Sequence, residues 1–172
     1  MSRPNAVTFK GNPLTLAGKA LSVGAEAPDF TLHYYDNGMQ TITKSDVKGK
    51  PTMLSVVPSL DTGVCATQTK KFNEQLAGMG DSIHAVTVSL DLPFAMSRFC
   101  GAESITNMNV GSDYQTRGFG ERYGVLIEEL KLLARSVFVL SPDGKVAYAE
   151  VVPEVTDEPN YEAAVAALKS QR

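Results

Sequence analysis

The chain has 172 residues and a mass of 18.4 kDa, a length that predicts one domain spanning residues 1–172. Apolar residues make up 43% and charged residues 20%, so a core can form and disorder is disfavoured. A net charge of −3 predicts no nucleic-acid partner, and the short apolar runs predict no membrane partner. The first residues lack the apolar stretch of a secretory signal, so we expect a cytoplasmic location.

Turn-forming residues predict that the chain begins with two β-hairpins. The first hairpin turns at residues 11–13 and the second at residues 36–38, each between short strand-like runs. Residues 51–58 then form an apolar run bounded by prolines, which is typical of a buried strand. We expect this strand to lie centrally in a sheet.

A helix is predicted directly after that strand. Cys65, Phe72 and Leu76 recur on one helical face within residues 63–79, and glycines follow as stop signals. The later predicted elements are a strand (83–90), a helix opened by Pro93 (93–102), a weak strand (107–110), a short helix (118–123), a hairpin (136–140 and 145–152) and a final helix.

The final helix is expected to be capped by Thr156 and Asp157, with Pro159 in its first turn. A βαβ unit joined to an antiparallel hairpin and a terminal helix predicts an α/β protein with a mixed central sheet flanked by helices. This is a thioredoxin-like arrangement, preceded here by an N-terminal β-hairpin.

Cys65 lies between the predicted buried strand and the first turn of the helix that follows. Free backbone N–H groups and the positive end of the helix dipole stabilise a thiolate relative to a thiol at such a position. A cysteine on the apolar face of a helix is also commonly inert packing. Position alone therefore leaves a reactive thiol and a structural one both open.

The residues around Cys65 resemble a known family. The pattern Pro58-x-x-x-Thr62-x-x-Cys65 resembles the active-site signature of the peroxiredoxins, and Ala-Pro-Asp-Phe at residues 27–30 resembles another element of that family. Residues 61–65 and 89–103, each containing a cysteine, resemble one subgroup, the bacterial thiol peroxidases. The resemblance covers nearly the whole chain, and it implies the peroxiredoxin variant of the thioredoxin-like fold.

The resemblance implies a role for each residue of the signature. Cys65 would be the peroxidatic nucleophile that becomes a sulfenic acid, and Thr62 would hydrogen-bond to thiolate and peroxide. Pro58 would shield the site from water. Arg135, from a later strand, would favour the thiolate and donate to the peroxide. The simpler alternatives are that Thr62 only caps a helix and that Arg135 is a solvated surface charge.

By the same resemblance Cys100 would resolve the sulfenic acid as an intramolecular disulfide, which a thioredoxin-type partner reduces. Alternatives are a buried inert thiol and a permanent structural disulfide, the second of which a reducing cytoplasm disfavours. A metal site made from Cys65, Cys100, His33 and His84 is disfavoured because no pair has ligand spacing.

The predicted function is therefore a thiol-dependent peroxidase for hydrogen peroxide and organic hydroperoxides that uses no metal, haem or flavin cofactor. The resemblance also implies a homodimer, with contacts near the active site. Phe94, Met96 and Phe99 are either ordinary packing or an apolar cleft for organic hydroperoxides. The rivals are a thiol–disulfide exchange protein, although Cys65 does not begin a CxxC motif, and a redox-inert binding domain.

Overall fold

The computed structural model describes every residue, Met1–Arg172. The strands are β1 (Ser2–Phe9), β2 (Asn12–Ala17), β3 (Thr31–Tyr35), β4 (Met39–Thr43), β5 (Thr52–Val56), β6 (His84–Ser89), β7 (Asn109–Ser112), β8 (Leu126–Ile127), β9 (Leu132–Leu133), β10 (Ser136–Leu140) and β11 (Val146–Val151). The helices are α1 (Lys44–Val47), α2 (Gly63–Gln75), α3 (Pro93–Ala102), α4 (Gly118–Arg122) and α5 (Tyr161–Ser170).

A mixed sheet of seven strands forms the centre of the molecule, in the order β11-β10-β5-β6-β7-β3-β4. Neighbours β5, β6 and β7 run parallel, as the βαβ connections through α2 and α3 require, and the remaining pairs are antiparallel. Every residue of β5 is buried, as expected for a strand with neighbours on both sides. The predicted mixed sheet, flanking helices and N-terminal hairpin are confirmed.

The two faces of this sheet bury separate hydrophobic clusters, because successive side chains of a strand point to opposite faces. On β5, Met53 joins one cluster, and Leu54 and Val56 join the other. The Met53 cluster contains residues of α2 and α5, including Phe72 and Leu168. Helices α2 and α5 therefore cover one face of the central sheet.

A second, smaller sheet covers the opposite face. It has the order β1-β2-β8-β9 and shares the cluster of Leu54 and Val56 with α4. Phe30, from the Ala-Pro-Asp-Phe run, packs edge-on against Phe119 at 5.9 Å and Tyr123 at 6.2 Å between ring centroids. The N-terminal hairpin in this layer was predicted, but β8 and β9 were not, since they have only two residues each and show no periodicity.

The end of the chain corrects one prediction. Helix α5 is capped by Asn160, whose side chain accepts from the Ala163 N–H at 3.0 Å, and not by Thr156 or Asp157. Thr156 instead donates its N–H and hydroxyl to the carboxylate of Glu154, so it is held in the preceding loop. Pro159 precedes the helix and is not part of its first turn.

Other element boundaries differ less. Helix α3 spans the predicted residues, whereas α2 ends at Gln75, where the chain turns through Gly78 with a positive φ of 83°. Helix α1, which was not predicted, begins with a reciprocal capping box between Thr43 and Asp46. None of the helices is long and apolar enough to cross a membrane.

Candidate active site

Cys65 lies in the first turn of α2, and its side chain is fully buried at 0% exposure. It packs in a small apolar cluster with Val57 and Leu60 of the β5–α2 loop and with Met96 of α3. The thiol is free, so it is not part of a disulfide. This cysteine is therefore buried among apolar side chains at the N-terminal end of a helix.

Arg135 reaches Cys65 from the residue directly before β10. Its guanidinium Nη2 donates to Cys65 Sγ at 3.4 Å, although Arg135 itself is only 2% exposed. No carboxylate forms a hydrogen bond or an ion pair with this buried charge. The buried guanidinium therefore has Cys65 Sγ as one of its three hydrogen-bond acceptors.

Gln68 fixes the orientation of that guanidinium. Its Oε1 accepts from Arg135 Nη1 at 2.9 Å, and its Nε2 donates to Ser55 Oγ on β5 at 2.8 Å. Gln68 and Ser55 are both fully buried. Sequence reasoning missed Gln68, although a polar residue three positions after Cys65 on the apolar face of a helix was a signal that could have identified it.

Arg135 donates its third hydrogen bond to the loop before α5. Arg135 Nε donates to the Val155 carbonyl at 2.9 Å, and the Val155 N–H in turn donates to the Thr8 carbonyl on β1 at 2.8 Å. The Thr8 N–H also donates to the Pro153 carbonyl at 2.8 Å. The N-terminal hairpin therefore holds the segment that supplies one of the acceptors for Arg135.

The other two residues of the signature lie in the loop between β5 and α2. Pro58 is buried, and Thr62 is exposed at the residue before the helix. The Thr62 hydroxyl donates to the Ser59 carbonyl at 3.0 Å, and its side chain caps no helix N–H. The structure thus brings Arg135 to Cys65 directly and leaves the Thr62 hydroxyl bonded within its own loop.

Cys100 occupies a different environment near the end of α3. It is a free, partly buried thiol that packs against the hydrophobic cluster containing Phe72 and Met108. Burial raises the pKa of Cys100 to about 11, so its thiol is protonated at neutral pH. Phe99 packs against this cluster and also against the cluster of Cys65, so it lies between the two cysteine environments.

The two histidines lie on different strands of the central sheet. His33 is on β3, with its ring edge against Tyr114 at 5.8 Å between centroids. His84 begins β6 and lines a cleft with Lys50 and Asp81. Its pKa is lowered mainly by burial and, to a smaller extent, by the charge of Lys50. No group of three or more His, Cys, Asp or Glu side chains is arranged to hold a metal ion.

Comparison with known proteins agrees with this geometry. A family model described as Redoxin matches residues 22–165. The chain belongs to the Redoxin family. A thiol peroxidase of Bacillus subtilis is 51% identical over 164 residues, which cover 95% of this chain and 96% of that protein. A thiol peroxidase of Streptococcus pneumoniae is 50% identical over 164 residues, covering 95% and 99%.

Solved structures give the same assignment of the fold. The crystal structure of a peroxiredoxin-like protein from Aquifex aeolicus superposes with a TM-score of 0.89 at 44% identity, covering 98% of each chain. A thiol peroxidase from Chromobacterium violaceum has a TM-score of 0.80 at 19% identity, covers 95% of each chain and supports the fold alone. The peroxiredoxin resemblance and the predicted thiol-dependent peroxidase are thereby confirmed.

Proposed function

We propose that Cys65 is the peroxidatic cysteine and reduces hydrogen peroxide and organic hydroperoxides. Its thiolate sulfur attacks the distal peroxide oxygen, the O–O bond breaks, and the leaving oxygen takes up a proton to become water or an alcohol. Cys65 is thereby oxidised to a sulfenic acid. The buried contact from Arg135 Nη2 to Cys65 Sγ, at 3.4 Å, carries this proposal.

Arg135 and Thr62 would provide the donors for the transition state. The guanidinium stabilises the thiolate and directs N–H groups toward the oxygen on which charge develops. The Thr62 hydroxyl, now bonded to the Ser59 carbonyl, would turn to the peroxide when it binds. Buried Pro58 would exclude water from this side of the pocket, which strengthens each of these interactions.

Cys100 would resolve the sulfenic acid. Its sulfur attacks Cys65, an S–S bond forms, the S–O bond breaks and water leaves. Because burial raises the pKa of Cys100 to about 11, the thiol is a weak nucleophile in its present position. We propose that α3 and the start of α2 open for resolution, which would expose Cys100 and let the two sulfurs meet.

A thioredoxin-type dithiol would then reduce the disulfide and complete the cycle. Such reductants keep cysteines reduced in the cytoplasm, so we place the protein there. The 51% identity to the Bacillus subtilis thiol peroxidase supports this class of reductant in general terms.

We also propose a homodimer formed beside the active site. Four exposed apolar side chains cluster there: Leu92 and Phe94 at the start of α3, and Tyr35 and Met39 on the adjacent hairpin, with exposures of 53%, 57%, 41% and 43%. Tyr35 and Phe94 contact each other at 5.1 Å between ring centroids, so the patch is continuous. Such a patch is typical of an interaction surface. Sedimentation should give a dimer at micromolar concentration, and a monomer alone would contradict this.

Counting thiols tests the proposed chemistry. One equivalent of peroxide should consume both thiols of the reduced wild type, and mass spectrometry should locate a disulfide between Cys65 and Cys100. Cys65→Ser should leave Cys100 free and consume no peroxide, since a serine hydroxyl is far less acidic than a thiol. Peroxide turnover by Cys65→Ser, coupled to thioredoxin, would contradict the assignment of Cys65.

A further inference from the structure

Asp91 connects the two segments that carry the cysteines. It lies in the loop between β6 and α3, and its side chain is only partly exposed. Oδ1 accepts from Ser59 Oγ at 2.8 Å, and Oδ2 accepts from the Leu60 N–H at 2.8 Å and from Ser89 Oγ at 2.7 Å. One carboxylate therefore holds the β5–α2 loop against the β6–α3 loop.

On one side, the bonds of Asp91 continue to the residue that precedes α2. The Ser59 hydroxyl that donates to Asp91 also accepts from the Asp61 N–H at 3.3 Å. The Ser59 carbonyl accepts from the Thr62 hydroxyl at 3.0 Å and from the Thr62 N–H at 3.1 Å. The position of Thr62, and with it the first turn of α2, depends on a chain of hydrogen bonds that begins at Asp91.

On the other side, Asp91 stands directly before the helix of Cys100. The Asp91 backbone carbonyl accepts from the Ser112 hydroxyl on β7, which fixes the loop to the central sheet. The next carbonyl, of Leu92, accepts from the Met96 N–H at 3.1 Å and so belongs to the first turn of α3. Movement of α3 away from the sheet would thus begin beside Asp91.

We propose that Asp91 is a positioning residue that sets the balance between the closed arrangement, in which Cys65 meets Arg135, and the opened arrangement, in which Cys65 and Cys100 can meet. This inference rests on the proposed function. Three donors satisfy the carboxylate in the closed arrangement, and any opening that separates the β5–α2 loop from the β6–α3 loop breaks the bonds to Ser59 and Leu60. Hydrogen bonds to a charged acceptor are among the stronger ones in proteins, so this carboxylate favours the closed arrangement.

The consequence is a competition at the sulfenic acid of Cys65. In the closed arrangement a second peroxide can oxidise it to a sulfinic acid, with release of water or an alcohol. In the opened arrangement the Cys100 thiol displaces water and forms the disulfide. A strong hold by Asp91 therefore accelerates the first oxidation but prolongs the life of the sulfenic acid.

Asp91→Asn tests the inference, because an amide has one acceptor oxygen and its NH₂ would face donors. We expect the rate constant of the first peroxide reaction to fall about tenfold. The sulfenic acid should convert to the disulfide several times faster, and less sulfinic acid should accumulate at high peroxide. Stopped-flow kinetics and mass spectrometry measure the three quantities, with thioredoxin supplied for the last. A merely structural role would slow both steps together, and that result would overturn the proposal.

Two further variants complete the experiment. Asp81→Asn is the control, because it makes the same charge change at an exposed side chain. Asp81 precedes β6 whereas Asp91 follows it, and the kinetics of this variant should match those of wild type. Ser59→Ala removes the bond to Oδ1 and the long bond from the Asp61 N–H, and leaves the bonds from Leu60 and Ser89 to Oδ2. It should shift the same three quantities in the same direction by smaller factors, and it decides the matter if Asp91→Asn does not fold. Unchanged kinetics in both Asp91→Asn and Ser59→Ala would overturn the proposal. If wild type itself forms no disulfide, the proposed function fails, and this inference with it.

Discussion

The two cysteines lie on helices packed against one sheet, but their surroundings differ in polarity more than in exposure. Cys65 is fully buried and meets a guanidinium held by Gln68 and Val155. Cys100 is the more exposed thiol, yet it makes no side-chain hydrogen bond, and burial raises its pKa to about 11. The partners of each sulfur, rather than its solvent exposure, therefore distinguish the proposed peroxidatic thiol from the proposed resolving thiol.

The sharpest way to separate the two thiols is Cys100→Ser. The first equivalent of peroxide should react at the wild-type rate, because the pocket of Cys65 contains no part of Cys100. Turnover with thioredoxin should fall to a trace, since the sulfenic acid can no longer be resolved within the chain, and sulfinic acid should accumulate. Stopped-flow kinetics, coupled turnover assays and mass spectrometry check the three expectations. Wild-type turnover by this variant would exclude Cys100 as the resolving residue.

Removing the guanidinium should make the surroundings of Cys65 more like those of Cys100. Arg135→Ala should slow the first oxidation about 10²–10³-fold, because a donor to the developing charge is lost together with the charge that favours the thiolate. Arg135→Lys is the matched control: it keeps a charge but loses the fork shared with Gln68 and Val155, so the loss should be smaller.

An unchanged rate in Arg135→Ala would contradict this role of Arg135 and make Arg117 and Arg122, at the two ends of α4, the next candidates. Arg122 already donates to the Asp29 carbonyl at 3.2 Å, and Arg117 adopts a left-handed conformation with a φ of 56° before α4.

Oxidation should change the two helix segments and leave the sheet unchanged. We expect amide hydrogen exchange to rise about tenfold in residues 63–68 and 93–102 when the disulfide forms, and to return on reduction, while β5 and β6 stay protected. Mass spectrometry of peptic fragments from both redox states measures the change. Equal protection in a sample with a verified disulfide would mean that the cysteines already lie together and that no opening is needed.

The smallest expected effect is a loss of folding stability at alkaline pH, caused by ionisation of Cys100. Its pKa in the folded protein lies above its ordinary value of 9.0, so its contribution to stability is complete below about pH 9 and is lost as the pH rises through about 11. Wild type should therefore lose about 1 kcal/mol more stability than Cys100→Ser over that interval, a value reduced by solvent screening at a partly exposed site. Urea midpoints of the two proteins measure this difference, and parallel pH curves would contradict it.

Local sequence signals were sufficient for much of the fold. Pro93 at the first position of α3 and the glycine-containing turns of both early hairpins mark boundaries through backbone chemistry that acts within a few residues. The capping box of Thr43 and Asp46 was equally local and could have predicted α1. The predicted cap of α5 was wrong because Thr156 bonds to Glu154 in the preceding loop and does not cap the helix. Residue spacing alone does not decide between these two local bonding patterns.

The residues of the candidate site also divide into those with local sequence signals and those whose roles depend on distant partners. Pro58, Thr62 and Cys65 are close in the sequence, so one motif contains all three. Gln68 and Asp91 escaped notice because their roles depend on partners far along the chain, Arg135 and Ser59 respectively. The short strands β8 and β9 likewise depend on pairing with other strands, since β8 pairs with β2 and β9 pairs with β8.

The three hydrogen bonds of Arg135 also lower the entropy cost of the proposed peroxide reaction. A free arginine side chain samples many rotamers, and fixing it costs about 2 kcal/mol of rotamer entropy. Here the Gln68 amide and the Val155 carbonyl hold the guanidinium through Nη1 and Nε, two contacts that do not involve the reacting sulfur. The ordering therefore takes place when the site closes, before a peroxide arrives, and it does not raise the activation barrier of the peroxide reaction.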